Sequence, residues 1–200
     1  MVPTKGNLII AKNTLKLCRT GYELLDKKRN ILIREMMQLI DAVKDLQGEI
    51  KSTFSDAYAA LRTANIVIGI NTVEQVGYAV PVETGVTAKF RSVMGVEIPV
   101  VGQEKRDMTP LYGFNNTTSS LDEACVKFDK VKQLTKNLAQ IENSVYRLAD
   151  NIKKTQKRAN ALKNIMIPNY ENEVRFIQNA LEEKDREEFS RLKVIKNNKS

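Results

Sequence analysis

Apolar residues recur along the first part of the chain at alternating spacings of three and four. Spacings of this kind mark the a and d positions of a heptad repeat, in which one narrow face of an α-helix packs against a partner helix. We call this series the first seam; its members are Leu8, Ala11, Leu15, Cys18, Tyr22, Leu25, Arg29, Leu32, Met36, Leu39, Val43, Leu46, Ile50, Phe54, Ala57 and Leu61. The pattern predicts a helix of roughly 80 Å whose apolar stripe needs a partner of similar length.

A second seam of the same kind begins at Leu121 and reaches Leu181. Capping residues precede it, which predicts a helix start near Leu121. Pro168 interrupts the series, so we expect a bend in the helix there and not a stop. Three further apolar residues continue the pattern: Phe189, Leu192 and Ile195. The helix is therefore expected to run almost to a frayed basic tail that starts at Lys196.

The two seams predict an antiparallel pair of helices. If the ends of the chain lie together, Leu8 faces roughly Leu192, and Leu61 faces roughly Leu138.

The middle of the chain has a different composition. Residues from about 77 to 120 hold five of the nine glycines and three of the five prolines. Residues 86–91 and 96–100 alternate apolar and polar side chains, with Gly95 between them, and predict a β-hairpin. Pro99 cannot donate to a ladder, so the second strand is an edge strand. Residues 102–118 are expected to form a loop.

These patterns together predict a mainly α fold, a long antiparallel two-helix coiled coil with a small central β-hairpin insert. Along the chain, residues 1–76 form the N-terminal long helix, 77–120 the hairpin and loop insert, and 121–200 the C-terminal long helix.

The charge of the chain restricts the class of partner. Its 32 basic and 24 acidic residues leave a net charge of +8, which favours an acidic partner. The basic residues are spread over both predicted helices and are not interleaved with aromatic ones, so we expect no nucleic-acid partner. No apolar run is long enough to span a membrane.

The usual residues of catalysis and metal binding are missing. The sequence contains no histidine, no phosphate-binding loop and only two cysteines, Cys18 and Cys125. Both cysteines occupy seam positions as small hydrophobic residues, far apart and unbonded, which suits a reducing cytoplasm. We therefore expect no catalytic residue, no cofactor site and no metal site.

Short motifs in a fixed order carry a family resemblance. They are Pro3-Thr4-Lys5, Gly21-Tyr22-Glu23-Leu24-Leu25 with Lys27-Lys28-Arg29, Val93-Met94-Gly95-Val96 with Pro99, Arg158 with Asn160-Ala161-Leu162, Ile167-Pro168, Leu181-Glu182-Glu183, Arg186-Glu187-Glu188-Phe189 and Leu192-Lys193. The chain resembles the D subunits, the central rotor shafts of the V-type (archaeal and vacuolar) rotary ATPases and ATP synthases, over nearly its whole length. Lys157, Ala159 and Lys163 depart from the pattern of that family.

The resemblance implies a noncatalytic subunit. In that family the ends of the paired helices insert into a hexamer of alternating A and B subunits, where ATP is hydrolysed or made. The F subunit and the subunit that caps the membrane ring contact the other end, so that rotation is coupled to proton or sodium transport. Such a shaft is cytoplasmic and peripheral to the membrane. The alternative is a stand-alone coiled-coil scaffold or adaptor.

Two groups of residues are candidates for contact with partners. Arg29 stands in the first seam with Lys27 and Lys28 beside it. Its guanidinium either reaches an acid on the partner helix or contacts the hexamer. The second group comprises the hairpin residues Phe90, Val93, Met94 and Ile98. They either serve another subunit or pack the hairpin onto the helices.

Overall fold

The computed structural model describes residues 2–80, 86–102, 112–113 and 117–199, with side chains described up to residue 197. The elements in chain order are α1 (Lys5–Ile68), α2 (Ile70–Ala79), β1 (Ala88–Val93), β2 (Val96–Val101), α3 (Ser119–Ala161), a π-helical turn (Leu162–Met166) and α4 (Ile167–Lys199). The predicted fold class, mainly α with a small antiparallel hairpin, is confirmed. Most of the loop predicted at 102–118 lies outside the described residues.

The chain divides into two compact units. The terminal unit comprises Met1–Ile31 and Ile152–Ser200, and the central unit comprises Leu32–Asn151. The boundaries fall inside α1 and near the end of α3, because each unit combines segments from both halves of the chain.

The first seam is the buried face of α1. All of its residues are buried or half-buried, and Ala11, Leu32 and Ala57 are at most 1% exposed. Apolar residues of α1 that lie outside the seam remain exposed: Leu17 is 72% exposed and Leu24 is 61% exposed. The heptad spacing therefore identifies the packing face correctly.

In the terminal unit, α1 packs antiparallel against α4. Its apolar cluster consists of Ala11, Val174 and Ile177, with Leu8, Leu15 and Leu181 packed around it. Further along α1, Arg19 contacts Glu171. Residue numbers therefore rise in one helix as they fall in the other.

The predicted register between the helices is wrong. Leu8 packs beside the cluster that contains Val174 and Ile177, whereas Leu192, its predicted partner, is 65% exposed. In the central unit the rings of Tyr58 and Phe128 form a T-shaped pair with 5.6 Å between centroids, so Leu61 lies near the start of α3 and not opposite Leu138. Apolar seams still match after a shift of whole heptads, so their spacing does not select one register.

The break after α1 depends on a glycine. Gly69 has φ 94° and ψ 144°, a conformation that residues with a Cβ rarely adopt, and α2 begins immediately after it. The predicted continuation of the first helix beyond Leu61 is confirmed as far as Ile68. This break at Gly69 was not predicted.

Pro168 is accommodated without ending the helix. The preceding residues Leu162–Met166 form a π-helical turn, and the proline is the second residue of α4. A proline lacks an N–H and crowds the carbonyl four residues earlier, and the wider π turn relieves both conflicts. The helix continues as predicted. The frayed tail from Lys196 is wrong, because α4 runs to Lys199.

The predicted hairpin is confirmed, with a two-residue turn. Met94 and Gly95 have φ values of 50° and 76°, the left-handed pair that joins two twisted strands tightly. Phe90 pairs with Pro99, and the two strands form a two-stranded sheet. Pro99 is thus on an edge strand, as predicted.

Truncating a seam side chain tests the packing. Leu148 is fully buried, so Leu148→Ala should lower the free energy of unfolding by about 2–5 kcal/mol. Leu192→Ala is the control, because this side chain is exposed and its truncation should cost less than about 0.5 kcal/mol. Urea unfolding measures the free energy of unfolding of both variants. Equal losses of this free energy would contradict the assigned register.

The glycines provide a second test. Gly48 lies within α1 with open space around its Cα, so Gly48→Ala should stabilise the chain by about 0.5–1 kcal/mol. Gly69→Ala should destabilise it by about 1–3 kcal/mol, because alanine is strained at that φ. Thermal unfolding followed by circular dichroism measures both, and a stabilising Gly69→Ala would mean that α1 and α2 form one continuous helix.

Candidate partner-contact surfaces

Polar contacts attach the hairpin to the helices of the central unit. Arg91 of β1 pairs with Glu35 of α1 at 2.6 Å. On β2, the N–H of Val101 donates to Oε1 of Gln140 at 2.8 Å. The N–H of Val101 and the C=O of Glu97, which accepts a bond from Arg147 at 3.2 Å, both belong to β2, so side chains of α3 bond that strand at two points.

The predicted hairpin candidates divide into two pairs. Ile98 is 6% exposed and Val93 is half-buried, so both face the helices. Phe90 is 57% exposed and Met94 is 49% exposed. The guanidinium of Arg147 lies 5.3 Å from the centroid of the Phe90 ring, close enough for a cation–π contact. Of the four candidates, Phe90 and Met94 are therefore the exposed pair, and Arg147 lies beside Phe90.

Arg29 is held by polar partners within the terminal unit. Its guanidinium lies 2.6 Å from the carboxylate of Asp26 and donates to Oε1 of Gln156 at 2.7 Å and to Oδ1 of Asn30 at 3.2 Å. The acid is on its own helix, not on the facing helix as predicted, and the facing helix supplies an amide. Lys28 is half-buried and Lys27 is exposed. Contact between these three residues and a hexamer stays a prediction.

The end of α4 presents apolar side chains that no part of the described chain covers. They are Phe189 at 71%, Leu192 at 65%, Val194 at 59% and Ile195 at 53% exposed. The cause is the register: α1 begins at Lys5 and already packs near Leu181, so α4 extends past it. The sequence predictions missed this surface by treating these residues as seam. The signal was present, since the apolar series from Leu121 to Ile195 spans 75 residues, whereas the first seam, from Leu8 to Leu61, spans 54.

The phenol of Tyr112 has a clearly shifted pKa. Burial, and then hydrogen bonds with Asp122 and Cys125, raise the pKa of Tyr112 above its usual range. Its hydroxyl donates to Oδ1 of Asp122 at 2.6 Å, beside the first turn of α3. The phenol therefore stays protonated at neutral pH and acts as a hydrogen-bond donor to the start of that helix.

The described chain presents neither a metal-binding cluster nor a helix that could span a membrane. Over residues 2–80, 86–102, 112–113 and 117–199, no three His, Cys, Asp or Glu side chains are grouped to hold a metal ion. No helix within those same ranges combines the length and the apolar character needed to cross a bilayer. Cys18 is buried, and both described cysteines are free thiols.

Comparison with known proteins gives one consistent result. The family model for the ATP synthase D subunit matches residues 7–197. The D subunit of the V-type ATP synthase of Thermotoga neapolitana is 43% identical over 98% of this chain and 97% of its own. The D subunit of the A-type ATP synthase of Methanobrevibacter smithii is 38% identical over 97% of this chain and 85% of its own. That of Pyrococcus horikoshii is 36% identical, covering 97% and 92%.

Long helices and a small two-stranded hairpin define a mainly helical protein of the coiled-coil class. The match to the family model over nearly the whole chain identifies the protein family. The chain belongs to the family of ATP synthase D subunits.

The role of Arg29 can be tested directly. Arg29→Ala removes bonds to Asp26 and Gln156 from a partly buried site and should lower the free energy of unfolding by about 1–2 kcal/mol. Lys27→Ala is the matched control on the same turn and should change it by less than about 0.5 kcal/mol. Urea unfolding measures both. An unchanged stability together with a lower ATPase activity of the assembled complex would contradict a packing role and favour contact with the hexamer.

Proposed function

We propose that this chain is the noncatalytic central-stalk (rotor) subunit of a V-type ATPase or ATP synthase. It couples ATP hydrolysis or synthesis in the A/B hexamer to rotation of the membrane ring, and thereby to proton or sodium transport. In this role it is cytoplasmic and peripheral to the membrane. Membership of the D-subunit family supports the proposal.

The observation that carries the proposal is the uncovered end of α4. Residues 182–197 are all exposed, and they include four large apolar side chains. Exposed apolar groups on this scale are a feature of surfaces that bind another protein. Insertion of this end into the A/B hexamer would remove them from water.

The packing of the helices suits a shaft. Torque passes along a structure only if its parts do not slide past each other. The polar contacts of Arg19 with Glu171 and of Arg29 with Gln156 resist such sliding within the terminal unit, because a shift of one turn would break both. A paired helix is also stiffer than a single one.

The hairpin is the proposed site for the remaining partners. Phe90 and Met94 face outward, and the hairpin that carries them is fixed to α1 and α3. A rigid, partly apolar surface of this kind would suit the F subunit or the ring-capping subunit.

The test is capture of the A and B subunits of the same enzyme by the tagged chain. Wild-type chain should capture both subunits. The double variant Leu192→Asp with Ile195→Asp should lose at least about tenfold in affinity, because it places charges where an apolar surface is buried.

The matched control is Ile66→Asp, which introduces a carboxylate at a side chain that is 78% exposed on α1 of the central unit. It should capture the subunits as wild type does, and all three proteins should unfold at similar temperatures. A chain that captures neither subunit and instead forms a stable homodimer would contradict the rotor proposal and support the scaffold alternative.

A further inference from the structure

The positive charge of the chain is concentrated in one part of the terminal unit. Residues 16–31 of α1 and residues 152–170 of α3, the π turn and α4 together hold ten basic and two acidic residues, a net charge of +8. This equals the net charge of the whole chain, so the remaining residues are neutral on balance. We call these two stretches the basic belt.

The fold brings the two stretches together. Arg29 bonds Gln156, and a Cβ at Gly21 would stand 3.6 Å from Leu162. Nζ of Lys163 lies 5.7 Å from the centroid of the Tyr22 ring. Basic residues that are far apart in the sequence are thus neighbours in space. They are spread over both helices, as expected, but the pairing of the helices places them in one region of this unit.

Several cations of the belt are not neutralised by the chain. Lys153, Lys157 and Arg158 are exposed, and no carboxylate among the described residues pairs with them. Lys153 and Lys157 are four residues apart on one helical face, where like charges repel. The carboxylate of Asp26 is already paired with Arg29. The belt therefore carries excess charge that packing does not require.

These cations lie beside the buried face of their helix and not on it. Thr155 and Ala159 point into the helix interface at 6% and 1% exposure. The flanking lysines and arginine extend away from that interface. We therefore look for the function of these cations in contacts with a partner molecule.

We propose that the basic belt binds an acidic, carboxylate-rich protein surface on the A/B assembly. This inference rests on the proposed rotor function and specifies the chemistry of the partner surface. A nucleic-acid duplex, which is bound through its phosphates, is a separate outcome of the test. Single strands are disfavoured because the belt lacks an exposed aromatic side chain on which bases could stack. Its aromatic residues, Tyr22 and Tyr170, are both half-buried. A charged belt also raises the rate at which an oppositely charged partner is found.

The experiment compares two triple variants with the same change in net charge. The belt variant carries Lys153→Gln, Lys157→Gln and Arg158→Gln. The control variant carries Lys44→Gln, Lys51→Gln and Arg62→Gln, three exposed positions on α1 of the central unit. Association with the A/B assembly of the same enzyme is followed by stopped flow. Ionic strengths of about 0.01 M and 1 M are used, where the screening length is about 30 Å and 3 Å.

The belt variant should associate at least about tenfold more slowly than wild type at low salt, and the difference should disappear at high salt. The control variant should match wild type within about twofold. Equal effects of the two variants, or a wild-type rate that is independent of salt, would overturn the basic belt as an acidic-surface site while leaving the rotor proposal intact. Failure of wild-type chain to associate at either salt would overturn both.

A labelled DNA duplex of about 20 base pairs is the second probe. If wild-type chain binds this duplex at low salt, and the belt variant loses the duplex while it associates with the A/B assembly at the wild-type rate, the belt is a nucleic-acid site and the proposal is wrong. Weak duplex binding that both triple variants share equally supports the proposal.

Discussion

The structure depends on the burial of one narrow apolar stripe on each long helix. A helix cannot bury its own apolar stripe, so α1 is stable only when another helix packs against the first seam. A later segment of the chain supplies that helix in each unit. Every seam residue of α1 is at least half-buried, including Arg29, whose charge is met by Asp26 and Gln156. The hairpin and the exposed end of α4 are attached to this paired framework, and their positions follow from it.

Much of the fold could be predicted because its signals are local. Heptad spacing identified both packing faces, and alternation with Gly95 identified the hairpin to within about two residues. The register could not be predicted in this way, because shifting one seam by whole heptads keeps apolar residues opposite apolar residues. It is fixed by particular contacts, such as Arg19 with Glu171, that no periodic pattern contains. The π turn before Pro168 was missed for a similar reason, since the sequence reveals the conflict at a proline but not how the backbone resolves it.

The surfaces available to partners follow from that register. Because α1 meets α4 near Leu181, the last turns of α4 extend past their partner and expose Phe189 and Leu192. The same register brings residues 16–31 beside residues 152–170. These two stretches together carry a net charge equal to that of the whole chain. Sequence reasoning selected Arg29 and the hairpin as candidate contacts, because both are visible as local exceptions to a pattern. It missed the belt formed by residues 16–31 and 152–170, because that surface arises only when distant segments are brought together, and it missed the end of α4, because the exposure of that end depends on the register.

The rotor function is tested most directly by watching the chain turn. The A/B assembly would be fixed to a surface and a bead attached through Met94→Cys, in a chain whose own cysteines are replaced by serine; Met94 is at the hairpin turn and is 49% exposed. On addition of ATP, the bead should rotate in one direction, in steps equal in number to the A–B pairs of the ring. ATP hydrolysis accompanied only by random motion of the bead, without net rotation, would contradict the proposed rotor function.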